Sequence, residues 1–265
     1  MLRKFMRAGL WMFMALSLMA ISASGLLAST LDDIIKRGTI RIGVGNDVPP
    51  FGSLDVNDKL QGYDIDFAHM IAKDLGVKVK LFPTTGINRV PYLITNKVDL
   101  IINIFGANPS RAQSVSFSIP YAPFYIGIFG PKNLPVKNAK DTSGYKVGLS
   151  RGTTMDLTFT PMAPKDTKII RYEDDATSLQ AYLTGRVDMI ATGNLLALEY
   201  SKKRPGKFAL KFLLRISPGH IGVRRHEPDL LQWVNTAIHY HKLNGDLNKL
   251  SLKWFGEPLP VLPTF

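Results

Sequence analysis

The feature that most constrains this chain is an alternation of strand-like and helix-like segments that fills its first half and returns, more weakly, in its second. Ile40, Ile42 and Val44 alternate with Arg41 and Gly43, the two-residue period of a strand. From Asp64 the apolar residues Ile65, Ala68, Ile71, Ala72 and Leu75 recur at helical spacing, and Gly76 ends the helix. Val77, Val79 and Leu81 alternate with lysines as a second strand, a helix is expected around 89–96, and the apolar run 98–104 reads as a buried strand. Such a series builds an open, mostly parallel α/β sheet with helices on both faces.

The second copy reads as strand 146–149, a helix start at 153–159, strand 168–172, helix 176–184 and buried strand 187–191. The copies share a local echo: Ile94-Thr95-Asn96-Lys97-Val98-Asp99-Leu100-Ile101 against Leu183-Thr184-Gly185-Arg186-Val187-Asp188-Met189-Ile190. In each, a helix ends at a turn residue, a basic residue follows, and Val-Asp leads into an apolar strand. Two lobes of similar construction are expected. They should connect near 121–129, where Pro120, Pro123 and Gly127 interrupt regular structure, and again at Ser217-Pro218-Gly219. The apolar residues Leu230, Leu231, Val234 and Ile238 then form a helix that packs back on the first lobe. The expected division is 30–122 with 219–265 as lobe one and 123–218 as lobe two. Two crossings make a hinge, which can close around a ligand.

The N-terminus carries Arg3, Lys4 and Arg7, an apolar stretch 8–21 and then Ser22-Ala23-Ser24-Gly25. A basic start, a short apolar core and small residues make a secretory signal peptide over 1–25, and its apolar part is shorter than the roughly 20 residues that span a bilayer. A periplasmic location follows. The absence of cysteine excludes disulfides, thiol nucleophiles and a lipid anchor on cysteine. The net charge of +12 is dispersed, its longest cluster being Lys202-Lys203-Arg204, so it reads as a solvated surface rather than a nucleic-acid face, and one that favours anionic ligands. The protein is expected to act as a monomer.

Strand carboxyl ends and the loops after them form the crevice of such a sheet. Three loops qualify: 46–51 with Pro49-Pro50, 105–111, and Gly152-Thr153-Thr154, where a helix start offers free N–H groups and hydroxyls to an anion. Arg111 lies just beyond the buried strand, and guanidinium fits a carboxylate through two parallel hydrogen bonds. A lone loop arginine is by default a surface residue paired with an acid, and Phe51 and Phe105, taken singly, are by default core residues.

With these residues in place the chain resembles the amino-acid-binding family of bacterial solute-binding proteins that feed ABC importers. The matching landmarks are Pro50-Phe51, Gly62-Tyr63-Asp64-Ile65-Asp66, Val98-Asp99-Leu100-Ile101, Arg111, Phe117-Ser118-Ile119-Pro120-Tyr121, Gly152-Thr153-Thr154, Gly185-Arg186-Val187-Asp188 and Lys253-Trp254-Phe255-Gly256. The resemblance implies a two-lobed periplasmic-binding-protein type II fold that closes on a small carboxylate ligand, an amino acid or related organic acid, and presents it to an inner-membrane ABC permease. It implies Arg111 as the carboxylate clamp, Gly106 and Thr154 as further donors, and Phe51 against the ligand's side chain. Asn88-Arg89-Val90-Pro91 resembles the glutamate/aspartate-binding branch, which makes Arg89 a second anion contact. Two positions depart from the family. Gly193 stands where an acid usually meets the ligand's ammonium, with Asn194 the nearest polar neighbour, and Ile104 replaces a hydroxyl residue. A ligand less dependent on an ammonium is the expectation.

The alternative is an exported enzyme or sensor on the same scaffold, such as a cyclohexadienyl dehydratase. That chemistry depends on an acid in the second lobe, and the matching stretch 191–198 has none. The histidines, His69, His220, His226, His239 and His241, show no metal spacing, and no phosphate-binding glycine loop is present. Neither catalysis, a cofactor nor a metal is expected.

Overall fold

Ser29 opens the first helix of the computed structural model, which describes residues 29–263; the signal-peptide expectation for 1–25 lies outside the described residues. Its hydroxyl accepts from the Asp32 N–H while the Asp32 carboxylate takes the Ser29 N–H, and Gly38 closes the helix at φ 66°. In chain order follow α1 (Thr30–Arg37), β1 (Thr39–Val44), a three-stranded flap of β2 (Asp47–Val48), β3 (Gly52–Leu54) and β4 (Leu60–Gln61), then α2 (Tyr63–Asp74) and β5 (Lys78–Pro83). Next come α3 (Arg89–Ile94), β6 (Leu100–Phe105), α4 (Pro109–Ala112) and β7 (Val115–Ala122). The middle of the chain gives β8 (Tyr125–Gly130), β9 (Lys146–Ser150), α5 (Thr154–Phe159), β10 (Lys168–Tyr172), α6 (Asp175–Leu183), β11 (Met189–Gly193), α7 (Asn194–Lys203) and β12 (Ala209–Ile216). It ends with β13 (Gly219–Arg224), α8 (Pro228–Leu243) and α9 (Asp246–Phe255).

These strands make two five-stranded sheets of one design, β5-β1-β6-β13-β7 and β10-β9-β11-β8-β12. In each, three neighbouring strands are parallel and the last two join antiparallel, so both sheets are mixed at one end. All six residues of β6 are buried. Leu100, Ile102 and Ile104 pack on one face with Ile65, Ala68 and Ile71 of α2, while Ile101 and Phe105 pack on the other with Leu93 and Val115. A strand covered on both sides reads as a continuous apolar run.

The echo between the halves is a matched piece of structure. Asn96 and Gly185 end their helices at φ 58° and 74°. Asp99 then accepts from the Arg41 N–H at 2.7 Å, and Asp188 accepts from the Lys146 N–H at 2.8 Å. Each aspartate ties the entry of one strand to the start of its parallel neighbour. Asp99 also holds Arg37 and Arg41 at 2.6 and 2.7 Å.

The chain passes between the sheets twice, through Pro123-Phe124 and through Ser217-Pro218, and the Ser217 N–H donates to the Phe124 carbonyl at 2.9 Å. The irregular stretch expected at 121–129 is shorter than the sequence suggests, because β7 runs to Ala122 and β8 begins at Tyr125. Pro120 sits inside β7 because β7 is a sheet edge, where a missing N–H is tolerated. The sequence reading also missed β12, a partly exposed strand with no clean alternation. Helices α8 and α9 pack on the first sheet and α2: Asn235 accepts from the Ile119 N–H at 2.8 Å, and Trp254 Nε1 donates to Asp66 at 2.8 Å.

Replacing Asp99 by Asn removes a fully buried charge that Arg37, Arg41 and, at 3.9 Å, Arg224 share, and should lower the unfolding free energy by about 3 kcal/mol. Asp188→Asn, at the exposed counterpart, should cost about 1 kcal/mol. Urea denaturation of both variants measures the contrast, and equal losses would contradict it.

Candidate ligand-binding site

The carboxyl end of β6 delivers Phe105 and Gly106, and the short helix α4 turns Arg111 back over them. Asn108 fixes that turn by accepting from the Arg111 N–H at 2.9 Å, with Pro109 in the first helical position. The guanidinium lies over the Phe105 ring, 5.1 Å from its centroid. Nη1 donates to the Gly106 carbonyl at 2.7 Å and to Thr154 Oγ1 at 3.1 Å, and Nη2 donates to the Gly152 carbonyl at 2.8 Å. Gly152 and Thr154 follow β9 of the second sheet, so Arg111 joins the two halves. The approach demands a glycine at 106, where a Cβ would meet Ser217 Oγ and Thr154 Oγ1 at 2.6 Å.

Arg111 is 7% exposed, and no carboxylate among the described residues pairs with it. Burial, with Arg89 and Arg215 nearby, pulls its pKa down to about 9. It stays protonated at neutral pH, a buried positive charge with neutral acceptors alone. That is the environment in which an incoming carboxylate gains most.

Arg89, at the start of α3, is 6% exposed and also lies over the Phe105 ring, at 5.9 Å. Its Nη2 donates to Asn103 Oδ1 at 3.2 Å, while Nε has no partner. Asn103 is the polar exception in β6, held through Nδ2 by the Thr84 carbonyl at 2.9 Å. Two acids stand nearby, Asp175 from the second half and Asp47 from the β2 flap of the first. Asp175, the first residue of α6, accepts from Ser150 Oγ at 2.7 Å, and its N–H donates to Asp47 of β2 at 2.8 Å, a second tie across the cleft. Burial and the neighbouring Asp47 raise Asp175 from 3.8 to about 6, and burial also raises Asp47.

A cavity of about 20 Å³ lies between the sheets, its walls including Arg89, Ile104, Phe124, Thr154, Asp175 and Gly193. It is about the size of one water, so a larger guest needs the sheets to part at the two crossings. Ile104 holds φ at 39°, an outlier for a β-branched residue, with its N–H donating to Asp64 and to the Tyr121 hydroxyl.

A family model, bacterial extracellular solute-binding proteins, family 3, matches residues 40–257. The chain belongs to that family. It is 32% identical to the L-cystine-binding protein TcyJ of Escherichia coli K12 over 230 residues, covering 85% of this chain and 86% of the relative. Among solved structures, a solute receptor for L-cysteine of Neisseria gonorrhoeae superposes with a TM-score of 0.79 at 34% identity, covering 84% of this chain and 92% of that one. An ancestral amino-acid-binding protein described as a precursor of cyclohexadienyl dehydratase gives 0.78 at 35% identity, covering 86% and 100%.

Within this family 3 protein the expected residues fall into three groups. Arg111, Gly106, Thr153, Thr154, Arg89, Ile104 and Gly193 converge on the cleft, Thr153 as the cap of α5 whose hydroxyl accepts from the Asp156 N–H. Phe51 and Phe105 are fully buried: Phe105 supports both arginines, and Phe51 packs on Tyr63, Phe124 and Phe255. Asn194 turns elsewhere; its Oδ1 accepts from the Tyr125 N–H, and it lines a separate groove beneath the C-terminal tail. Sequence reasoning overlooked Asp47, Phe124, Ser150 and Asp175. Asp175 had a usable signal, since Asp174-Asp175 follows β10 at its carboxyl end, the edge from which the other site loops were taken. Among the described residues no group of histidines and acids has metal-binding geometry, and no helix is long and apolar enough to cross a membrane.

Because Asp175 is raised in the folded protein, the folded state binds more protons than the unfolded chain between about pH 4 and 6. Its contribution to stability therefore falls as pH rises through that window and levels off above it. The stability of Asp175→Asn relative to the wild type should rise by on the order of 1 kcal/mol or more between pH 4 and 7. Denaturant titrations at both pH values measure it, and a constant difference would contradict the shift.

Proposed function

We propose that this protein is the periplasmic substrate-binding component of an amino-acid-type ABC importer, and that Arg111 is the clamp for its ligand's carboxylate. The observation that carries the reading is a buried guanidinium at the meeting of two sheets, bonded to neutral acceptors and lacking a counter-charge. A ligand carboxylate supplies that charge, and charge-assisted, bidentate contacts are the strong ones. Family membership and the amino-acid-binding relatives support the ligand class.

In this reading the lobes are 30–122 with 219–265 and 123–218, and they open at Pro123-Phe124 and Ser217-Pro218. The ligand meets Arg111 and Gly106 on lobe one; lobe two then brings in Gly152, Thr153 and Thr154, so that closure completes the anion site and creates the face a permease recognises. Residues 1–25 direct export, and the protein works as a monomer with no part in nucleic-acid binding. It acts as a carrier rather than a catalyst: the stretch 191–198, where the dehydratase needs an acid, has none.

A thermal-shift panel of L-amino acids should identify a ligand, and calorimetry then tests the clamp. Arg111→Ala should weaken binding by about 2–5 kcal/mol, at least thirtyfold, while leaving the circular dichroism spectrum unchanged. Unaltered affinity would overturn the assignment.

A further inference from the structure

Gly193 is the position at which the sequence departs from the family's usual acid, and the structure gives a physical reason for its bareness. A Cβ at Gly193 would lie 2.1 Å from two ring atoms of Phe124. The Phe124 ring fills that space, packed T-shaped against Phe51 at 5.6 Å and 88°. No carboxylate can project from position 193 unless that ring moves.

The cavity still has an acid, supplied by another element. Asp175 lines it together with Thr154 and Gly193, buried and oriented by Ser150 Oγ at 2.7 Å. Among the described residues no base forms an ion pair with it. Arg89 faces the same cavity, nine-tenths buried, with Nε unpartnered. Opposite charges held apart on the walls of one cavity suit a guest that carries both signs. Arg111 borders this cavity through its bond to Thr154, and a plain carboxylate in the cavity would face Asp175 at low dielectric and be repelled by it.

We propose that Asp175 is the specificity-determining contact for a positively charged nitrogen of the ligand, taking over from α6 the role that position 193 cannot fill. The ligand class is then a zwitterionic amino acid and not a simple organic acid, in contrast to the reduced dependence on an ammonium that Gly193 suggests in the sequence. The inference rests on Arg111 as the carboxylate clamp. The nitrogen recognised is either the α-ammonium or a cationic side chain, and paired ligands distinguish them.

Calorimetry on the wild type, Asp175→Asn and Arg111→Ala would use two pairs: an L-amino acid that binds against its desamino acid, and L-arginine against L-citrulline. The wild type should prefer the positively charged member of at least one pair by about tenfold or more, and Asp175→Asn should reduce that preference to below about threefold. If the amide variant does not fold, Asp175→Ser is read in the same way. A preference that survives in the Asp175 variant, or no preference in the wild type, overturns the inference. Loss of binding in Arg111→Ala with Asp175→Asn unchanged sinks this inference alone, whereas unchanged binding in Arg111→Ala sinks the clamp beneath it.

Discussion

A guanidinium removed from water without a carboxylate beside it is the constraint on which this structure turns. Arg111 lies on an aromatic ring and donates to two carbonyls and a hydroxyl, drawn from both sheets. Neutral acceptors satisfy its hydrogen-bonding geometry but leave its charge uncompensated, and at low dielectric that imbalance is large. A fold that retains such a group gains stability whenever an anion arrives. In the proposed reading, binding and closure are coupled because the same side chain touches both halves.

The rest of the cleft follows from placing a second charge set nearby. Arg89 shares the Phe105 ring with Arg111, and their mutual repulsion helps to lower the pKa of Arg111. Asp175 faces them from the second half, and Asp47, in the β2 flap of the first half, accepts from its backbone N–H across the gap. The hinge supplies Phe124, which lines the cavity from the first crossing and touches the second through its carbonyl. One residue thus links the shape of the cavity to the joint about which it opens.

Much of this was legible in the sequence because local physics decided it. The period of β1, the stop at Gly38 and the covered run in β6 each follow from patterns that tertiary contacts reinforce. The Val-Asp echo was readable because the same hydrogen bond is made in both sheets. Arg111 alone reads by default as a surface arginine, and it stood out only once the family landmarks around it were in place. What escaped notice depends on distant partners. Phe124 looked like a hinge residue, and its role in blocking Gly193 comes from a crossing and a strand end about seventy residues apart meeting in space. Asp175 falls just before the helix expected at 176–184, and in the structure it opens that helix. Its placement in the cleft depends on Asp47 reaching across from the β2 flap of the other half. Asn194 was chosen for being next to Gly193, but the strand ends there and Asn194 opens α7, its Oδ1 accepting from the Tyr125 N–H.

The crystal structure of the protein bound to an L-amino acid tests the account most directly. It should show the ligand carboxylate within hydrogen-bonding distance of both Nη atoms of Arg111, with the bond to the Gly152 carbonyl given up or shared. A ligand whose carboxylate lies elsewhere in the cleft, with Arg111 still bonded to Gly106 and Gly152, would contradict it.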